Sequence, residues 1–246
     1  MNMLQCRGLS KRYPSQKRNA VDMLDLDVAG GEIFGFLGPN GAGKSTTIKM
    51  IVGLLEADSG TVSLDGLDLV SSPIEYKRMI GYCPDEPLFY EKMTGLAHLG
   101  FIADIHGLDE ATRKERITTL SEQLLLVDEL ADPISTYSHG MRQKLSVIAA
   151  LLHSPKLLIL DEPMVGLDPK ASYNLKELIK SYAALGKLVF FSTHVLEVAQ
   201  NLCTKLGIIE EGKLRFSGTF SELQQMEGSE AQSLETLFLR LTEDRS

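Results

Sequence analysis

No run of apolar residues in this sequence approaches the ~18–20 that a membrane-crossing helix needs. The longest candidates, Leu157 to Leu160 and Leu188 to Phe191, have the length of short buried strands instead. The N-terminus lacks a basic stretch followed by an apolar one, since charged residues recur from Arg7 onward, so no secretory leader is expected. The protein is expected to stay where it is made, and any membrane role to come through a partner. Cysteine is scarce: Cys6, Cys83 and Cys203 are widely spaced and form no CxxC pair, which points to free thiols in a reducing compartment. The histidines show no metal-ligand spacing, which argues against a zinc site. Basic residues are outnumbered, 25 Lys and Arg against 33 Asp and Glu. That balance argues against broad binding of nucleic acid or anionic lipid, which needs dense cationic surface. One small basic cluster, Lys11, Arg12, Lys17 and Arg18, reads either as a solvated loop or as a phosphate-facing one.

What is present suits a folded globular chain. Its 246 residues fit one to two domains, and an apolar content of 43% is enough for a sizeable core. Met23 to Val28 alternates, with Leu24, Leu26 and Val28 on one face, and predicts a half-buried strand. Gly30-Gly31 turns the chain. Glu32 to Leu37 reads as a buried strand running into a glycine-rich loop, then a helix over Thr46 to Leu55 and a strand over Thr61 to Asp65. From about Asp85 to Tyr137 the periodicity becomes helical. Thr94 and Asp109 look like N-caps, followed by Leu96, Leu99 and Ala103 and then by Ile117, Leu120 and Leu124. Ser138 opens a further helix with Met141, Leu145, Ile148 and Leu152 on one face, stopped by Ser154-Pro155. Leu157 to Leu160 and Leu188 to Ser192 read as buried strands around a helix from about Lys170 to Leu185. Leu206 to Ile209 and Lys213 to Phe216 suggest a closing hairpin, and Leu234, Leu237, Phe238 and Leu241 share one helical face in the tail. Strands alternating with helices imply an α/β fold with a mainly parallel sheet.

Two motifs carry chemistry. Gly38-Pro39-Asn40-Gly41-Ala42-Gly43-Lys44-Ser45 matches the GxxxxGK[ST] phosphate loop at every fixed position. Glycines there let backbone N–H groups close around phosphates, and the following helix, opening at Thr46, offers its positive end. Lys44 is expected to reach the β- and γ-phosphates of a nucleotide and the Ser45 hydroxyl to ligate Mg²⁺. Leu157 to Leu160 then ends in Asp161-Glu162, which puts two carboxylates at the C-terminal edge of the sheet, where ligands of open α/β sheets bind. Asp161 is the candidate Mg²⁺ ligand and Glu162 the candidate for orienting or deprotonating the attacking water. These motifs alone also fit a small-molecule kinase or a GTPase.

The segment Tyr137-Ser138-His139-Gly140-Met141-Arg142-Gln143 decides between them, because it resembles the LSGGQ signature of ABC ATPases. Asp168 in Gly166-Leu167-Asp168-Pro169 resembles the D-loop of that family, His194 its switch histidine, and Tyr13 its adenine-stacking aromatic. The resemblance runs from about Leu4 to Gly218, and the stretches at 137–144 and 192–196 are most similar to bacterial exporter-type subunits. It implies a P-loop, RecA-like core over residues 1–84 and 156–220 with an N-terminal antiparallel patch, a helical subdomain over 85–155 and a helical tail over 221–246. It also implies two such subunits paired head to tail, homo- or heterodimeric. ATP would lie between the phosphate loop of one and Ser138, Gly140 and Asp168 of the other, with Glu162, His194 and Lys44 serving catalysis. The implied partner is a membrane-spanning permease, with this chain peripheral on the cytoplasmic face of the membrane. Leu88, Phe89 and Tyr90, between Pro87 and the helical region, either dock that permease or fill the subdomain's own core.

The chain departs from the family pattern at several positions. Asp85 stands where the Q-loop glutamine is usual, which makes it a third candidate Mg²⁺ ligand. His139 replaces the first glycine of the signature, and its side chain either sits beside the trans phosphate site or points outward. Met141 replaces the signature glutamine, and Val165 the usual small residue before Gly166. Two alternatives stand beside the transport reading. One is a soluble ABC ATPase, although neither a coiled-coil insertion nor a second ATPase domain is visible. The other is a weakly hydrolysing regulatory module, which Asp85 and His139 favour and Glu162 and His194 oppose.

Overall fold

The computed structural model describes residues 3–226 and 232–243. In chain order the strands are β1 (Met3–Lys11), β2 (Val21–Ala29), β3 (Ile33–Leu37), β4 (Ser59–Leu64), β5 (Leu67–Asp68), β6 (Ile80–Cys83), β7 (Leu157–Asp161), β8 (Leu188–Thr193), β9 (Lys205–Glu210) and β10 (Lys213–Gly218). The helices are α1 (Lys44–Ile51), α2 (Pro73–Arg78), α3 (Gly95–Ile105), α4 (Glu110–Gln123), α5 (His139–Leu151), α6 (Pro169–Ala184), α7 (Leu196–Leu202), α8 (Phe220–Met226) and α9 (Leu234–Glu243). Among the described residues the strands form two sheets. One is antiparallel, in the order β2-β1-β4-β5; the other runs β10-β9-β3-β8-β7-β6. In the second sheet β9, β3, β8, β7 and β6 are parallel, and only β10 runs against its neighbour β9.

Sequence explains this division. Strands β3, β7 and β8 are largely apolar, with polar residues only at the C-terminal ends of β7 and β8, and every one of their residues is buried, as a parallel sheet covered on both faces requires. β2 alternates instead, with Val21, Leu24, Leu26 and Val28 inward and its aspartates outward, so one face of the antiparallel sheet meets solvent. Helices α3, α4 and α5 lie in the chain between β6 and β7, and pack around Leu99, Ala103, Ile117, Leu124, Leu145 and Ile148. Thr94 and Asp109 cap α3 and α4, accepting N–H bonds from Ala97 at 3.1 Å and Thr112 at 2.9 Å. Leu234 and Leu237 of α9 are buried against a third cluster containing Leu206 and Leu223.

Several boundaries differ from expectation for identifiable reasons. The first helix runs over Lys44–Ile51 rather than Thr46 to Leu55. Its C-terminus closes when the N–H groups of Leu54 and Leu55 both turn back to the Lys49 carbonyl. Leu96 lies on the outer side of α3 and is half exposed, so Leu99 and Ala103 carry that helix's packing without it. The helix expected to reach Leu185 ends at Ala184, and β8 extends one residue further, to Thr193. No helix among the described residues is long and apolar enough to cross a membrane.

Candidate functional site

The loop between β3 and α1 is built against the neighbouring strand. A side chain at Gly38 would place its Cβ 2.4 Å from the Ile209 carbonyl oxygen of β9, so only glycine lets the chain leave the sheet there. Gly43 takes a φ of +111°, which L side chains avoid, and its carbonyl receives both the N–H and the hydroxyl of Thr47 at 2.9 Å. That turn starts α1 at Lys44, two residues earlier than expected, so Ser45 and Thr46 fall in its first turn. Lys44 is buried, and its ammonium donates to the carbonyls of Gly38 at 2.6 Å and Pro39 at 3.2 Å. Burial lowers its pKa, opposed by the charges of Glu162 and Asp161.

A cavity of about 630 Å³ opens over this loop. The loop from Pro39 to Thr46 lines it except at Ala42, which is buried beneath, as Gly38 is against Ile209. Tyr13 lines it too, its hydroxyl 3.4 Å from Thr46 Oγ1. So do Asp85, Asp161 and Glu162. The basic cluster divides: Lys17 and Arg18 lie on the wall, while Lys11 pairs with Asp58 at 2.7 Å.

Asp161 ends β7 and is buried. Burial raises its pKa, a hydrogen bond from Ser192 lowers it, and the charges of Asp85 and Glu162 raise it further. A carboxylate held that way favours a bound cation. Ser45, Asp85 and Asp161 also share an adjoining recess; a hydroxyl and two carboxylates are the hard oxygen donors that Mg²⁺ prefers. Among the described residues no cluster of three or more His, Cys, Asp or Glu could hold a metal by itself, so a cation here would share its shell with ligand oxygens and water.

Glu162, one residue beyond β7, takes a φ of +50°. Its N–H meets Ser192 twice, at the hydroxyl (3.1 Å) and at the carbonyl (3.3 Å). The Glu162 carboxylate reaches His194 Nδ1 at 3.0 Å, with the glutamate mostly buried and the imidazole half exposed. Ser192 was not expected at the site. Parallel register sets it opposite Asp161, where it holds both acids in place. The only local signal is a small polar residue at the end of an apolar strand.

The remaining predicted residues lie outside this cavity in the single chain. Ser138 caps α5, accepting the Met141 N–H at 3.3 Å. Asp168 caps α6, accepting the Ala171 N–H at 2.9 Å, which lowers its pKa. Gly140 sits against the Gly166 carbonyl. The His139 ring lies directly over Gly166, where a Cβ would come within 2.3 Å of it, so this side chain turns onto the chain's own loop after Glu162. Leu88 and Tyr90 are exposed, whereas Phe89 turns inward onto His98 with ring centroids 5.0 Å apart.

The family model described as ABC transporter matches residues 21–165. The linearmycin resistance ATP-binding protein LnrL of Bacillus subtilis (strain 168) is 37% identical over 221 residues, covering 90% of this chain and 70% of that protein. The ABC-type transporter ATP-binding protein EcsA of the same organism is 34% identical over 99% of this chain and 98% of its own length. A solved structure of the ATP-binding subunit of an ABC transporter superposes with a TM-score of 0.92 at 36% identity, covering 97% of this chain and 99% of the other.

Proposed function

The chain belongs to the ABC transporter family, and from that premise we propose that it is the ATP-hydrolysing subunit powering a separate membrane-spanning permease. The observation that carries this reading is the Glu162–His194 contact of 3.0 Å at the edge of a cavity floored by the phosphate loop and Lys44. Tyr13 stacks on the base, while the loop amides and the N-terminus of α1 receive the phosphates. Lys44 exchanges the carbonyls of Gly38 and Pro39 for phosphate oxygens, and their charge offsets the burial that now depresses its pKa. Ser45, Asp85 and Asp161 would hold Mg²⁺, which neutralises charge on the β- and γ-phosphates.

Glu162 orients the attacking water and accepts its proton. His194 holds that carboxylate and faces the γ-phosphate; Ser192 fixes the backbone from which Glu162 projects. Ser138 and Gly140 serve the nucleotide of a second subunit, since they lie outside the cavity of their own chain and open an α-helix whose positive end suits phosphate. The subunit sits on the cytoplasmic face of the membrane, held by a permease that covers the exposed Leu88 and Tyr90. Steady-state ATP turnover of the purified chain and of Lys44→Ala tests the reading. Loss of nearly all turnover in the variant is expected; equal turnover would overturn it.

A further inference from the structure

The segment from Asp85 to Glu91 runs between β6 and α3 without regular structure and touches three places. Asp85 lines the nucleotide cavity. Leu88 and Tyr90 are exposed on the surface assigned above to the permease, with Phe89 packed on His98 between them. Glu91 grips Arg142 on α5 with both carboxylate oxygens, at 2.6 and 2.8 Å. This bidentate geometry is the strongest form of Arg–carboxylate pairing, and it holds the Glu91 carboxyl below its ordinary range. The Arg142 guanidinium also donates to the carbonyls of Ile134 at 3.2 Å and Tyr137 at 3.4 Å, clasping the residues that lead into Ser138.

The cap at the N-terminus of α5 is weak: the Met141 N–H reaches Ser138 Oγ at 3.3 Å. In a capping box the third helical residue is normally Glu or Gln, reaching back to the N-cap amide. Here it is Met141, whose sulfur lies 3.4 Å from the Ser138 N–H and is a weak acceptor. The fastening that the cap lacks comes from the next residue, Arg142, and through it from the 85–91 segment. We infer that Glu91 and Arg142 are positioning residues that hold the α5 N-terminus where it must stand to receive the partner subunit's ATP, and that they tie this helix to the permease-facing segment. The inference rests on the sandwich reading above and names the linkage that reading leaves open.

The test uses the full chain carrying Glu162→Gln, so that ATP is not consumed. ATP-dependent dimerisation is followed by sedimentation for this parent and for Arg142→Gln, Arg142→Lys and Glu91→Gln added to it. Binding of a fluorescent ATP analogue is measured at protein concentrations too low for dimers. Arg142→Gln and Glu91→Gln are expected to weaken dimerisation about tenfold, the scale of one lost charge-assisted pair, with monomer nucleotide affinity unchanged. Arg142→Lys keeps the charge but not the fork and should fall between. Because Glu91 is half exposed in a loop, Glu91→Gln remains decisive even where Arg142→Gln lowers stability. Dimerisation of Glu91→Gln equal to the parent overturns the linkage, as does an equal loss of nucleotide affinity in the monomer. A parent that does not dimerise with ATP overturns the sandwich reading itself.

Discussion

Replacing Gly38 with alanine adds one methyl group where the structure has no room. The new Cβ would lie 2.4 Å from the Ile209 carbonyl oxygen, 2.9 Å from Ile209 Cγ2 and 3.1 Å from Ala42 Cβ. An ordinary carbon–oxygen contact is about 3.3–3.6 Å, so the overlap approaches 1 Å. The obstructing atom is backbone, on a strand fixed on both sides by β3 and β10, and cannot rotate aside. Overpacking of this kind costs about 1–3 kcal/mol. If β9 yields, the cost falls on folding; about 2 kcal/mol corresponds to a loss of roughly 4–8 °C in Tm for a domain of this size. If the loop yields, folding survives but its amides no longer converge, and 2 kcal/mol appears as a roughly 30-fold weaker ATP Kd. Thermal melts without nucleotide, paired with ATP calorimetry in EDTA, read both channels, and their combined change should be about 2 kcal/mol. An alanine variant with wild-type Tm and wild-type affinity would refute the packing of the phosphate loop on β9.

Asp85 faces the same cavity as Asp161; Asp85→Gln should therefore raise the Mg²⁺ concentration for half-maximal turnover several-fold, and superimposable Mg²⁺ titrations would remove it from the metal site. His153 gives a pH-dependent signal. Burial first, then the charges of His106, Arg116 and Lys187, push its pKa down from the ordinary 6.5 to about 4, against a partial rise from the Ile80 carbonyl. A base depressed in this way contributes stability above pH 6.5 that is lost as pH falls toward 4. The linkage limit is roughly 3 kcal/mol, reduced to about 2 by solvent at this partly open position. Between pH 7 and pH 5 wild type should lose Tm relative to His153→Gln, which can still donate to the Ile80 carbonyl. A pH-independent difference would contradict it.

The parts of the fold that could be read from sequence are those whose signal is local. Strands β3, β7 and β8 announce themselves because burial on both faces demands short, nearly continuous apolar runs. β1 does not, since bulges between Cys6 and Leu9 and between Leu9 and Lys11 break its alternation. β6 has only four residues, too few for a period to show. At the site, Lys44, Ser45, Asp161 and Glu162 were legible because phosphate chemistry fixes their spacing. Ser192 was not, because its importance comes from parallel register with Asp161. Glu91 and Arg142 are 51 positions apart, and no window of sequence joins them. The turn of His139 onto Gly166 likewise arises only in the folded chain.

The central claim is that Glu162 activates water for a nucleotide that the rest of the site binds without it. Glu162→Gln keeps the shape of the side chain and leaves Lys44, Ser45 and Asp161 in place, so it separates the two functions. Steady-state ATP turnover and ATP affinity, measured on the same preparation, give the most direct test. The account predicts turnover reduced by about 10²–10⁴-fold, the usual contribution of a positioned general base, with ATP affinity retained or tighter. Near-normal turnover in Glu162→Gln, or loss of ATP binding together with turnover, would contradict it.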